Sequence, residues 1–238
     1  MRWLLIIIAL FFIDDSCAQD NGVNDDEVEK EYFSEQIALV RNDYMKKAKD
    51  ALIKGKFEYA KKQYKKMISQ ELEGTYMDNF NVSCLNTNKG CINDYNKPII
   101  LMTYASWCVP GKGEIPAINH VVDQYSDKID FVVLFWDDKK NARRAAKDIN
   151  NDVHIVYVDE LRNRYAYTIK MLKHSLGFPK IFTIGSDKKI LQIENTKGFP
   201  FYKEPSKAVE ENKDFFKDLI NNINEYEDQL IKSAEADK

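Results

Sequence analysis

Polar and apolar positions change their spacing twice along this chain. From about Glu31, apolar residues recur every three or four positions through Ile37, Val40, Tyr44, Ala48 and Leu52, and the pattern halts at Gly55. That period puts them on one face of an α-helix. Phe57, Ala60, Tyr64, Met67 and Ile68 repeat it, while Lys61, Lys62, Lys65 and Lys66 fall largely on the other face. Residues 30–73 therefore read as a helical hairpin turning at Lys54-Gly55-Lys56. Residues 74–97 lose all period and accumulate Asn, Asp and Gly, as a loop does. Beyond them, unbroken apolar runs at 98–104, 129–136 and 153–158 read as strands buried on both faces, separated by helical segments at 112–125, 139–149 and 162–173. Residues 180–184 and 190–194 predict a strand hairpin across Gly185-Ser186-Asp187-Lys188. A last helix, about 205–231, carries its stripe on Phe216, Leu219, Ile223, Tyr226 and Leu230, ahead of a short tail at 233–238. Such alternation predicts the α/β class, a central mixed sheet with helices on both faces, occupying residues 98–232.

The amino terminus changes where this fold is expected to work. Arg2, the apolar run from Leu4 to Ile13 and then Ser16-Cys17-Ala18 have the order of a secretory signal peptide cut after about Ala18. The run is too short to cross a bilayer, which takes about 20 residues as a helix. Acylation at Cys17 is the competing reading, but Asp14 and Asp15 stand where such a signal wants small or aliphatic residues. Residues 19–29 are acid-rich and read as a flexible leader. The expected location is thus the periplasm or the extracellular space. The whole chain has 35 basic and 38 acidic residues, interleaved, and a formal net charge of −3, so neither nucleic acid nor a membrane is expected as a partner of the mature form.

Export also changes how the cysteines are read, because oxidised pairs persist outside the cytosol. Cys84 and Cys91 lie close together in the 74–97 loop, and a structural disulfide between them is expected, worth roughly 2 to 3 kcal/mol by loop-closure entropy. The sharper alternative is that one of them serves Cys108. No metal is expected. His120, His154 and His174 lack ligand spacing, and two thiolates do not complete a tetrahedral zinc site.

Cys108 stands in Trp107-Cys108-Val109-Pro110-Gly111-Lys112, where the first core strand gives way to a helix. A thiol at a helix N-terminus meets unpaired N–H groups and the positive end of the dipole, which favour the thiolate. Trp107, Cys108, Pro110, Lys112, Glu114 and Pro116, with Gly177-Phe178-Pro179 leading into Ile181-Phe182-Thr183-Ile184, resemble the exported TlpA/ResA-like thioredoxins over roughly residues 97–200. One position departs from that pattern. Gly111 stands where the family carries its second cysteine.

The resemblance implies a thioredoxin-like fold preceded by the helical hairpin. It implies a cis peptide before Pro179 facing the thiol, a buried acid at Glu114 that tunes thiols and moves protons, and a kink at Pro116. Glu114 has a plainer alternative as a surface residue favouring a helix start. Cys108 and Glu114 are thus the catalytic candidates, and Trp107, Val109, Pro110, Gly111, Phe178 and Pro179 the substrate groove. The expected activity is thiol–disulfide exchange through one cysteine, on client protein disulfides or small thiols, with no cofactor. The contrasting expectation is a binding module that holds a partner in the cis-proline groove and on the hairpin. Glycine at 111 leaves space beside the sulfur, into which an outside thiol could come.

Overall fold

The computed structural model describes residues 30–159, 163, 166–197 and 204–236. The signal peptide and leader expected at 1–29 lie outside them. Among the described residues, six α-helices and six strands follow in the order α1 (Phe33–Ile53), α2 (Phe57–Met67), β1 (Ser83–Cys84), β2 (Ile99–Tyr104), α3 (Glu114–Tyr125), β3 (Asp130–Phe135), α4 (Lys139–Ala145), β4 (His154–Tyr157), α5 (Ala166–His174), β5 (Lys180–Ile184), β6 (Ile190–Asn195) and α6 (Pro205–Ala236). One mixed sheet has the strand order β1-β4-β3-β2-β5-β6. The strands β2, β3 and β4 run parallel, while β5, β6 and β1 join antiparallel. This is the thioredoxin-like arrangement, with the helical hairpin added at its amino end.

Side-chain alternation on β2 divides the core. Ile100, Met102 and Tyr104 pack with Ile118, Val121 and Val122 of α3 and with Phe216, Leu219 and Ile220 of α6. Ile99 and Leu101 face the other way, into a cluster with Phe33 and Ile37 of α1, Met67, and Ile169 and Leu172 of α5. Because successive strand residues point to opposite faces, an unbroken apolar run must be covered on both. The hairpin and α5 cover one face, and α3 and α6 the other.

Three expectations change. Residues 74–97 are a packed connection: Met77, Phe80, Ile92 and Tyr95 are buried, and Cys84 pairs with Val156 at the sheet edge. α6 continues through Ala236, so most of the expected tail is helical. In the hairpin, Leu52 and Phe57 are exposed although their spacing put them in the apolar stripes. Among the described residues, no helix is long and apolar enough to cross a membrane.

Candidate functional site

The site is a loop, residues 105–113, between the carboxyl end of β2 and the start of α3. Its first turn is fixed from both sides. The Ser106 N–H donates to Asp137 Oδ2 at 2.6 Å, and the Cys108 N–H donates to the Ala105 carbonyl at 2.9 Å. Helix α3 starts at Glu114 rather than Lys112. The residue before it, Gly113, has φ +77°, and a Cβ there would lie 2.6 Å from Val209 N and 2.7 Å from Ala208 C at the start of α6. Only glycine fits both the left-handed backbone and that approach. Cys108 is therefore six residues ahead of α3. Dipole effects fall off within the first turn of a helix, so the expected aid to the thiolate loses its geometry here.

Glu114 is buried, 1% exposed. The Tyr104 hydroxyl donates to its Oε1 and the Gly111 N–H to its Oε2, each at 2.5 Å. Burial pushes its carboxyl above the usual glutamate range, and these two bonds offset that only in part. The plain surface reading of Glu114 is overturned. Its carboxylate ties the 105–113 loop to strand β2 and to the first turn of α3.

Gly111 is filled space rather than open space. A Cβ there would lie 2.6 Å from the Lys197 carbonyl oxygen and 3.1 Å from Glu114 Oε2. The backbone just after β6 occupies the volume that a side chain at 111 needs. The room expected beside the sulfur is absent on this side, and a second cysteine does not fit without moving that backbone.

Pro116 also changes meaning. As the third residue of α3 it lies in the first turn, where no intrahelical N–H bond is lost, so it terminates nothing and kinks nothing. The Lys112 carbonyl, which an amide at 116 would otherwise have met, accepts instead from Asn212 Nδ2 at 3.1 Å. Asn212 is buried on α6, and the same nitrogen also donates to the Ala208 carbonyl at 2.9 Å.

Around the half-buried thiol, Trp107 is 73% and Val109 89% exposed, and Pro110 is exposed beside them. The Trp107 ring meets that of Phe178 with centroids 5.3 Å apart, and the Phe178–Pro179 peptide is cis. The structure thus brings the β2–α3 loop and the segment before β5 together into one apolar rim. Large apolar side chains left exposed and contiguous mark contact surfaces.

The other cysteines of the described residues lie elsewhere. Cys84 is a free thiol, so the expected Cys84–Cys91 disulfide is not formed. Its cause is register. Asn81 pairs antiparallel with Cys91, and the Val82 N–H donates to the Gly90 carbonyl at 2.8 Å. Cys84 is three residues beyond Asn81, roughly 10 Å at strand rise, and disulfide Cα atoms lie within about 7 Å. Its Sγ instead donates to the Lys89 carbonyl at 2.8 Å, and burial pushes the thiol up. One rung of the sheet runs Cys84, Val156, Leu134, Thr103. Three strand spacings, roughly 14 Å, thus separate Cys84 from β2, so it does not reach Cys108.

The sequence reading missed Tyr104, Asp137 and Lys197, which fix the loop, and also Asp130. That last carboxylate opens β3 at the far end of the sheet from Cys108, meeting Lys89 Nζ at 3.0 Å, His154 Nε2 at 3.1 Å and Lys97 Nζ at 3.8 Å. An acid heading a strand buried on both faces was the available signal. Among the described residues, no His, Cys, Asp and Glu group is arranged to hold a metal ion.

No protein-family model matches the sequence, and no curated protein matches it. Solved structures similar in shape include the thioredoxin domain of a thiol-disulfide oxidoreductase from Bacteroides vulgatus, at 14% identity and a TM-score of 0.46 over 60% of this chain and 96% of that one. A thiol:disulfide interchange protein from Bacteroides sp. is 16% identical with a TM-score of 0.42, over 51% of this chain and 80% of that one. StoA from Bacillus subtilis is 17% identical with a TM-score of 0.36, over 54% and 94%. Similarity at this level leaves the chemistry to be argued from the site itself.

Proposed function

We propose that this chain is an exported thioredoxin-like protein that exchanges disulfides through one thiol, Cys108. The carrying observation is the placement of a free, half-buried thiol between the exposed Trp107 and Val109, with Phe178 and Pro179 alongside and no side chain at 111. A client segment rests on that rim. The Cys108 thiolate attacks one sulfur of the client disulfide, forming a mixed disulfide, and the other client sulfur leaves as a thiolate that takes a proton from water. A second, external thiol then loses its proton to water and attacks the client sulfur of the mixed disulfide, which forms a disulfide between that thiol and the client and releases Cys108 as a thiolate. The external thiol supplies the electrons, and the protein ends as it began. Glu114 acts here as a positioning residue, holding the loop through the Gly111 amide. Export rests on the apolar run after Arg2, and it would place the thiol where client disulfides persist.

The rim favours one other reading. Trp107, Val109 and Phe178 can hold a partner with no bond exchange at all. A trapping experiment separates the two. Native protein is incubated with oxidised glutathione or a disulfide-bonded peptide, quenched in acid and mapped by mass spectrometry. The expected product is one mixed disulfide, at Cys108, released by added thiol and absent from Cys108→Ser. Protein that stays unmodified at Cys108, yet binds the reduced peptide, would leave the binding module as the function.

A further inference from the structure

The helical hairpin ends in a tip that leaves large apolar side chains exposed among the described residues. Toward the sheet, α1 and α2 bury Phe33, Ile37 and Met67, but toward the tip their shared interior is only Ala48, Ala51 and Ala60. The large apolar residues there point outward: Leu52 is 50%, Ile53 74% and Phe57 66% exposed. They flank the turn at Lys54-Gly55-Lys56, where Gly55 has φ +66°. Between residues 46 and 66 the chain carries nine lysines against Asp50 and Glu58, a local excess of seven positive charges in a protein whose formal net charge is −3. All nine lysines are exposed, and among the described residues only Lys47 is ion-paired, to Asp43. The charges interleave over the chain as a whole, but this stretch is a local run of lysines that the hairpin carries on both of its helices. A shallow cavity of about 370 Å³ opens beside the tip, lined by Lys47, Asp50, Ala51, Lys54, Lys56 and Tyr59.

We propose that the hairpin tip docks on an anionic phospholipid surface, with Leu52, Ile53 and Phe57 entering the interfacial region and the surrounding lysines meeting lipid phosphates. Aliphatic and aromatic side chains at the apex, ringed by lysine, are the combination that interfacial segments use. Lysines alone would suit any polyanion. Aliphatic residues at the apex gain nothing from a nucleic acid or a solvated acidic chain, but they gain from leaving water. Lys54 and Lys56 both line the cavity, where they can meet a headgroup phosphate. This surface is independent of Cys108.

The test is co-sedimentation of the purified protein with vesicles of phosphatidylcholine alone or mixed with phosphatidylglycerol. Binding is expected only with phosphatidylglycerol, and it should weaken as salt rises. Lys54→Gln with Lys56→Gln should lower the partition coefficient about 25-fold, at about fivefold for each lysine. Ile53→Asp with Phe57→Asp should abolish binding, and Phe57→Trp should show blue-shifted emission on the anionic vesicles. All these positions are exposed, so the variants should keep the wild-type circular dichroism spectrum and thermal midpoint. Failure of the wild type to bind phosphatidylglycerol vesicles at low salt overturns the proposal. So does binding that survives the two aspartates, or a blue shift given by soluble polyglutamate and not by vesicles.

Discussion

Two buried carboxylates sit at opposite ends of the parallel strands, and burial alone would push both upward. Asp130, 3% exposed, is nevertheless held below the usual aspartate range, because hydrogen bonds from His154 and Lys89 and the Lys89 charge outweigh its desolvation. Glu114 has two shorter hydrogen bonds, but both come from neutral donors, and it stays above the usual glutamate range. At Asp130 the hydrogen bonds and the Lys89 charge together reverse the effect of burial, and at Glu114 two neutral donors only reduce it. One end of the sheet is therefore closed by an ionic cluster. The other end, beside Cys108, is held by a carboxylate whose donors among the described residues, Tyr104 and Gly111, are neutral.

The pH dependence of the two differs in sign. Asp130 has a lowered folded-state value, so its stabilisation is present above its ordinary value near 3.8 and is lost as pH falls through the folded value. Glu114 has a raised one, so its contribution is full below about 4.5 and is lost as pH rises through the folded value. Acidification weakens one end while relieving the other.

Removing Asp130 is the strongest way to break this contrast. Asp130→Ala leaves Lys89, Lys97 and His154 facing one another, and we expect a loss of about 3 kcal/mol in urea unfolding, with a flattened acid limb. Glu114→Ala leaves the buried Tyr104 hydroxyl and the Gly111 amide without their acceptor, at about 2 kcal/mol. Glu114→Gln can still accept from Gly111 and donate to Tyr104, so it should cost under about 1 kcal/mol and lose the Glu114 pH signature. A Glu114→Gln protein as unstable as Glu114→Ala would show that the charge itself holds the loop. Gly111→Ala, which pushes a methyl group against the Lys197 carbonyl, should cost about 1 to 2 kcal/mol, read as a lowered thermal midpoint.

The smallest expected effect belongs to a buried cation. Lys180, next to cis-Pro179, has its Nζ hydrogen-bonded to Asn195 Oδ1 and 5.0 Å from the Tyr64 ring centroid, and desolvation brings it down to about 8. Its unfolded form binds the proton more tightly, so stability should rise between about pH 8 and its ordinary value of 10.5. Lys180→Met should remove that rise while changing stability at neutral pH by about 1 kcal/mol or less. An unchanged alkaline limb would mean that water reaches Nζ.

Much of this was readable in the chain, and the losses share a cause. The apolar runs of β2 and β3 announced strands covered on both faces, because period and burial are local properties. The expected Cys84–Cys91 bridge failed because nearness in sequence says nothing of register, and pairing Asn81 with Cys91 carries Cys84 past its partner. Leu52 and Phe57 kept helical spacing yet face solvent, since spacing shows that a face exists and not what covers it. Glu114 was legible as a candidate but not as the anchor of Gly111. That role needs the fold to place three segments together.

The sequence by itself determined the α/β alternation, the helical hairpin and the single cysteine at the end of the first core strand, because each depends on neighbours within a few residues. Only the tertiary structure decided what the glycine at 111 means. The missing sulfur is a close approach of the chain after β6, with the Lys197 carbonyl in the place a side chain would take. Tertiary structure likewise put Cys84 three strands from β2 and left Leu52, Ile53 and Phe57 uncovered at the hairpin tip. Distances between segments remote in sequence are set by packing, and no local pattern encodes them.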